Sequence, residues 1–148
     1  MGRNAHPTTD IAVAEIKEQF MIYGIGTDIV KIDRISHIYQ KYGDTFVRKI
    51  LTSCELQDWQ LQYQHKKISF LAKRFAAKEA FAKAVQSGLR YPVSLQEISI
   101  THNENGSPKF EYSQSLQIWL NNQQISTVHL SLSDEKDYVI AFAIAEKL

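Results

Sequence analysis

This chain cannot form a disulfide within itself. Its 148 residues include a single cysteine, Cys54, which has no intramolecular partner and points to a reducing compartment. Nor is there a surplus of charge of one sign: seventeen Lys and Arg stand against sixteen Asp and Glu, a formal net charge of +1. Proteins that bind nucleic acid without regard to sequence draw affinity from phosphate neutralisation and carry a large basic excess. No nucleic-acid partner is therefore expected, although a local basic patch stays compatible with the balance. No apolar run nears the roughly 20 residues needed to cross a bilayer. The N-terminus shows no apolar signal-peptide core, and His6 stands where a myristoylation signal carries Ser or Thr. The expectation is a cytoplasmic protein without membrane attachment. Internal repeats and low-complexity tracts are also missing. What remains is ordinary: 44 % hydrophobic and 22 % charged residues. That composition excludes wholesale disorder and fibrous architecture, and the length suits one domain with at most an appendage.

The appendage falls at the start. Thr8, Thr9 and Asp10 are helix-capping types, and Ile11, Val13, Ala14 and Ile16 follow among charged residues, so a short helix is expected there. Residues 1–20 read as an extension, whether native, from an upstream start or a cloning remnant, and residues 21–148 as the domain. Residues 22–30 are rich in β-formers, with Gly24 and Gly26 marking close approach by another backbone or a ligand. Ile32, Ile35, Ile38, Tyr39 and Tyr42 recur at helical spacing before Gly43. Thr52 and Glu55 form a capping box for a second helix bearing Leu56, Trp59 and Tyr63.

Residues 68–86 are the strongest helix, free of Gly and Pro and closed by Ser87-Gly88. A strand over 95–101, a turn at Asn105-Gly106 and a returning strand over 109–112 suggest a hairpin. A helix over 113–122 and two strands, around 128–132 and 138–145, complete the chain. Mixed helices and strands with antiparallel hairpins define an α+β fold.

Three features could carry chemistry. Asp28 lies within an apolar strand, where a carboxylate costs several kcal/mol, on the order of the buried-charge penalty, unless it is paired, hydrogen-bonded or metal-bound. Capping of the next helix is the alternative for it. Glu79 and Lys83, four residues apart, share a helix face and could be a plain surface ion pair. Yet Ala72 and Ala76 continue their stripe, which leaves room for something to approach both charged heads, while Leu71, Phe75, Phe81 and Val85 make the rest apolar. Two carboxylates and a Lys one turn on suit a Mg²⁺ ion holding a phosphate. Arg74 with Lys73 and Lys78 reads either as a solvated basic face or as a phosphate contact. Gly24-x-Gly26 lacks the third glycine of a dinucleotide fingerprint, and the five histidines show no metal-ligand spacing.

Together these residues carry a resemblance. G-I-G-T-D-I-V-K-I-D-R-I, residues 24–35, resembles the opening motif of bacterial holo-[acyl-carrier-protein] synthases, which are small 4′-phosphopantetheinyl transferases. R-F-A-A-K-E-A-F-A-K-A, residues 74–84, is similar to their second motif. I-L-T-S-C-E-L (50–56), N-G-S-P (105–108) and V-H-L-S-L-S-D-E-K-D-Y (128–138) resemble their remaining segments, in order. The resemblance implies an antiparallel sheet packed against a long helix. It also implies a Mg²⁺-dependent homotrimer with active sites at subunit interfaces. Its reaction would move phosphopantetheine from coenzyme A to a serine of apo acyl carrier protein and release adenosine 3′,5′-bisphosphate. Asp28 and Glu79 match the metal ligands, and Lys83 matches the lysine at the phosphates. Arg34, with Lys31 nearby, matches carrier docking. Lys73, Arg74, Ser87, Gly88, Ser133 and Asp134 fall where coenzyme A would be held.

Two positions depart from the pattern. Asp134 stands where the family usually has a His that contributes to coenzyme A binding; a carboxylate repels a phosphate, and Lys73, Arg74 or Lys136 would have to compensate. Gln86-Ser87-Gly88 replaces a usual G-T-G, and Ser87 keeps a hydroxyl. Asp134 keeps open a second reading, a catalytically weakened paralogue that binds a carrier protein or a nucleotide.

Overall fold

The computed structural model describes residues 19–148; the helix expected after Asp10 lies outside them, as does nearly all of the extension. Strand β1 (Met21–Lys31) leads into helices α1 (Ile32–Tyr42), α2 (Asp44–Ile50) and α3 (Ser53–Leu61). A 3-10 turn, Gln64–Lys66, precedes the long helix α4 (Lys67–Ala84). The hairpin of β2 (Ile98–His102) and β3 (Pro108–Tyr112) follows, then α5 (Gln114–Asn122), β4 (Ile125–Asp134) and β5 (Tyr138–Lys147). Strands β1, β5 and β4 form one antiparallel sheet in that order, and β2 and β3 form a second. The fold is α+β, as composition and pattern predict.

Helix α4 lies across β1 and β5, and small residues on both sides allow it to lie close. Ala76, Ala77, Ala80 and Ala84 of the helix and Ala141, Ala143 and Ala145 of β5 are all completely buried. Gly24 and Gly26 complete this contact. A Cβ on Gly26 would collide with the carbonyl oxygen of Ala80, and one on Gly24 with that of Ala84. The close partner of these glycines is thus the backbone of α4 rather than a ligand. The same packing answers for Ala72 and Ala76: both are fully buried, so the space they leave is filled by protein, and only Glu79 and Lys83 of that stripe reach the surface.

Alternation along β1 then places Asp28 on the α4 side, in register with Ala141. It caps nothing: α1 starts after Lys31 and has no side-chain cap, so the capping alternative is set aside. The opposite sheet face is apolar and open, with Ile25, Ile29, Ile140 and Phe142 between 37 % and 63 % exposed.

Three boundaries differ from expectation. Helix α4 ends at Ala84, and the left-handed residue that closes it is Gln86 (φ 63°). The Ser87 amide donates to the Ala82 carbonyl (3.3 Å) and the Gln86 amide to that of Lys83 (3.1 Å), the bond pattern of a Schellman cap. Glycine is usual at such a position; here the Gln86 side chain donates to the Tyr23 carbonyl (3.2 Å) and so ties the helix end to β1. Residues 95–97, expected as strand, form a turn because the Leu95 carbonyl accepts from the Lys78 ammonium (2.9 Å) instead of a ladder partner. Tyr63, expected on the face of α3, lies beyond that helix and is exposed.

Candidate active site

Strand β1 and the C-terminal half of α4 bring Asp28, Glu79 and Lys83 together. The Lys83 ammonium donates to Asp28 Oδ1 (3.2 Å) and to the Thr27 carbonyl (2.8 Å). Glu79, half-buried, has its carboxyl raised above the usual range, first by desolvation and then by the negative charge of Asp28. Lys83 and Arg34 act in the opposite sense, which puts Arg34 of α1 within the electrostatic reach of this cluster. Lys31 is exposed at the end of β1. Two carboxylates that repel each other and are only partly offset by cations fit a hard divalent ion: oxygen donors of this kind, one or two per protein, hold Mg²⁺ with substrate phosphate completing its shell. Asp28 and Glu79 could supply two such donors; among the described residues no group of three or more potential metal ligands occurs.

A second cluster lies on another face of α4. Arg74 and Glu79 are five residues apart, about 140° around the helix. A cleft of about 930 Å³ is lined by Lys73, Arg74, His102, Asp134 and Lys136, among others. Lys73 pairs with Asp134 across it (3.4 Å). The carboxylate that departs from the family pattern is therefore paired with one of the three cations expected to compensate, and the other two share its cleft. His102 is held below its usual range by burial and then by the positive charge of Arg74, with Lys73 adding to it and Asp58 opposing. Lys66, Lys73, Arg74 and Lys136 outweigh Asp58, Asp134 and Glu135 on this lining, so the wall is slightly electropositive. Of the other expected contacts, Ser133 pairs with Ile140 on the open face of the sheet and is not brought to the cleft. Ser87 and Gly88 follow the end of α4, on the Lys83 side, where Ser87 Oγ donates to the Gly88 carbonyl (2.8 Å).

The basic run Lys73-Arg74-Lys78 is not one face. Lys78 is completely buried, so it is neither solvated nor free to touch a phosphate. Its ammonium donates to Glu55 Oε1 (2.5 Å), the Ile50 carbonyl (2.6 Å) and the Leu95 carbonyl (2.9 Å). Glu55 does form the predicted box, its Oε1 accepting from the Thr52 amide (3.0 Å) while its own amide donates to Thr52 Oγ1 (3.3 Å). Its burial and its pairing with α4 carry no signal in the local sequence; only the hydrophobic breadth of α4 hinted that a lysine there would lie inside.

These motifs and this architecture define a transferase fold: the chain belongs to the 4′-phosphopantetheinyl transferase superfamily, whose profile matches residues 24–143. Among its relatives is the holo-[acyl-carrier-protein] synthase of Neisseria meningitidis serogroup A, 53 % identical over 127 residues that span 86 % of this chain and all of that protein. The crystal structure of a holo-[acyl-carrier-protein] synthase from Neisseria meningitidis superposes with a TM-score of 0.83 at 51 % identity, covering 86 % of this chain and 100 % of that one. A Bacillus anthracis holo-(acyl-carrier-protein) synthase, solved in complex with CoA (3′,5′-ADP), superposes with a TM-score of 0.73 at 33 % identity over 86 % of this chain and 99 % of that one.

Proposed function

We propose that this chain is a holo-[acyl-carrier-protein] synthase: it transfers 4′-phosphopantetheine from coenzyme A to a serine hydroxyl of apo acyl carrier protein and releases adenosine 3′,5′-bisphosphate. The observation that carries the reading is the meeting of Asp28, Glu79 and Lys83 at one place in a chain half identical to named synthases. Asp28 and Glu79 would hold Mg²⁺, which when bound neutralises charge on the pyrophosphate as the leaving phosphate departs. Glu79, or a water on the metal, would accept the serine proton, and Lys83 would hold a phosphate oxygen. Exposed Arg34 and Lys31 would draw in an acidic carrier. The catalytic unit is residues 21–148, and the free thiol of Cys54 fits the cytoplasm. Among the described residues no helix is long and apolar enough to cross a membrane.

The assembly we propose is a homotrimer with active sites between subunits. The open apolar face of the β1-β5-β4 sheet supports it, since an exposed contiguous apolar surface marks an interface. So does the separation of the acidic cluster from the electropositive cleft on two faces of α4, which a neighbouring copy would bridge. Two measurements test these readings. Incubation with coenzyme A, Mg²⁺ and apo carrier protein should add the phosphopantetheine mass to the carrier; no gain, with a competent synthase active in parallel, refutes the transferase. Mixing Glu79→Ala with Arg74→Ala protein, each impaired alone, should restore up to about one quarter of wild-type activity at limiting coenzyme A by random assortment of subunits. No recovery after subunit exchange refutes the shared site.

Asp134 supplies a further expected result. Replacing it by His removes a carboxylate from the cleft and releases Lys73, so the KM for coenzyme A should fall by about threefold to tenfold, the effect of a modest charge contact. An unchanged KM would mean that the Lys73 bridge already neutralises it.

A further inference from the structure

The wall of the electropositive cleft has a foundation that none of the motifs explains. Glu55 has no exposed surface, and its carboxylate is bonded from three elements at once. Oε1 accepts from the Thr52 amide at the start of α3 and from Lys78 of α4. Oε2 accepts from the Ile100 amide of β2 (3.1 Å) and faces Arg74 Nε at 3.3 Å. The Arg74 guanidinium also lies over the Phe70 ring, 4.2 Å from its centroid. One edge of that planar group therefore faces Glu55 and one face lies on the ring, and Arg74 lines the cleft.

Lys78 uses its three N–H groups on Glu55 and two carbonyls and offsets the one carboxylate. The other cation is Arg74, 5 % exposed, which faces Glu55 on one side and is near Asp58, another residue of the cleft lining. Its Nε, buried and 3.3 Å from a carboxylate oxygen, lacks the alignment of a hydrogen bond. A planar guanidinium with one edge turned to a carboxylate presents the other as a fork for phosphate oxygens.

We propose that Glu55 is a positioning residue of the coenzyme A site: anchored by Lys78, Thr52 and Ile100, it holds the Arg74 guanidinium against Phe70 so that its free edge meets a phosphate of coenzyme A in the cleft. This rests on the reading that the cleft holds coenzyme A, and it assigns Glu55 no contact with the ligand. The buried pair sets the angle of the fork; Asp28, Glu79 and Lys83 are untouched by it.

Positioning and simple electrostatics make opposite predictions. Glu55→Gln removes a negative charge near the cleft, so electrostatics alone would lower the KM for coenzyme A. Loss of positioning would raise it. Steady-state kinetics on wild type, Glu55→Gln, Arg74→Ala and the double variant, at a temperature where circular dichroism shows all four folded, decide between them. The expected result is a KM for coenzyme A raised about tenfold in Glu55→Gln, with kcat and the KM for carrier protein within threefold of wild type. The KM of the double variant should match that of Arg74→Ala. Glu55→Asp, which keeps the charge but draws it back by one methylene, should raise the KM in the same way and serves if the glutamine variant does not fold. A lowered or unchanged KM in both Glu55 variants overturns the proposal, as do additive effects in the double variant. An Arg74→Ala protein with wild-type KM instead refutes the placement of coenzyme A in this cleft, a separate failure.

Discussion

Asp28→Ala or Glu79→Ala should lower kcat at least about a thousandfold, roughly 4 kcal/mol of transition-state stabilisation, while the protein stays folded. The two carboxylates share one site, and the Glu79 carboxyl is raised because desolvation and the negative charge of Asp28 both disfavour its ionised form. A carboxyl raised on folding opposes the native state as pH rises through its titration range, so its removal takes away a destabilising charge near neutrality. Nor does Asp28→Ala strand its partner, because Lys83 keeps its bond to the Thr27 carbonyl. The thermal midpoint of each variant should therefore equal or exceed that of wild type in the absence of Mg²⁺. Loss of turnover without loss of fold separates metal-binding ligands from structural residues. The measurement is initial rate of carrier modification beside a thermal melt; rates within tenfold of wild type in both variants would refute the ligand assignment.

Lys78→Met should have the largest effect on stability, about 3–5 kcal/mol, because removing one partner leaves a buried charge uncompensated. Methionine fills much of the volume but leaves Glu55 Oε1 and the carbonyls of Ile50 and Leu95 without the ammonium that joins them. Those three groups belong to α3, to the end of α2 and to the turn before β2, so the loss loosens the junction of the helices with the hairpin. Arg74 remains beside Glu55 but is 3.3 Å away and poorly aligned, so it cannot replace three short bonds. A midpoint lowered by about 10 °C or more is expected for a domain of this size. A melt within a few degrees of wild type would show that Lys78 contributes little.

Much of this protein can be read locally. The helical spacing of Ile32, Ile35 and Tyr39, the Thr52–Glu55 box and the Asn105-Gly106 turn each depend on neighbours a few residues away, and each appears where expected. Lys78 shows the limit. In sequence it is one of three cations in a row of six residues; in the fold Lys73 rims a cleft, Arg74 forms its wall and Lys78 lies inside. Position around a helix is periodic, but which sector is inside depends on every element packed against it. Gly24 and Gly26 teach the same lesson: a glycine announces close approach without saying whether a ligand or, as here, a helix backbone approaches.

The α+β class, the order of elements, the family and the short list of charged residues worth attention are legible in the chain alone, because they follow from periodicity, capping and contiguous motifs. Which of those residues meet depends on contacts between elements far apart in the chain. Packing joined Asp28 to Lys83 across a sequence separation of 55, set Lys73 against Asp134 and buried Glu55 between Lys78 and Arg74. The physical reason is range: charges interact over ångströms in space, and the chain brings distant residues within that range only by burying the apolar surfaces of α4 and the sheet together.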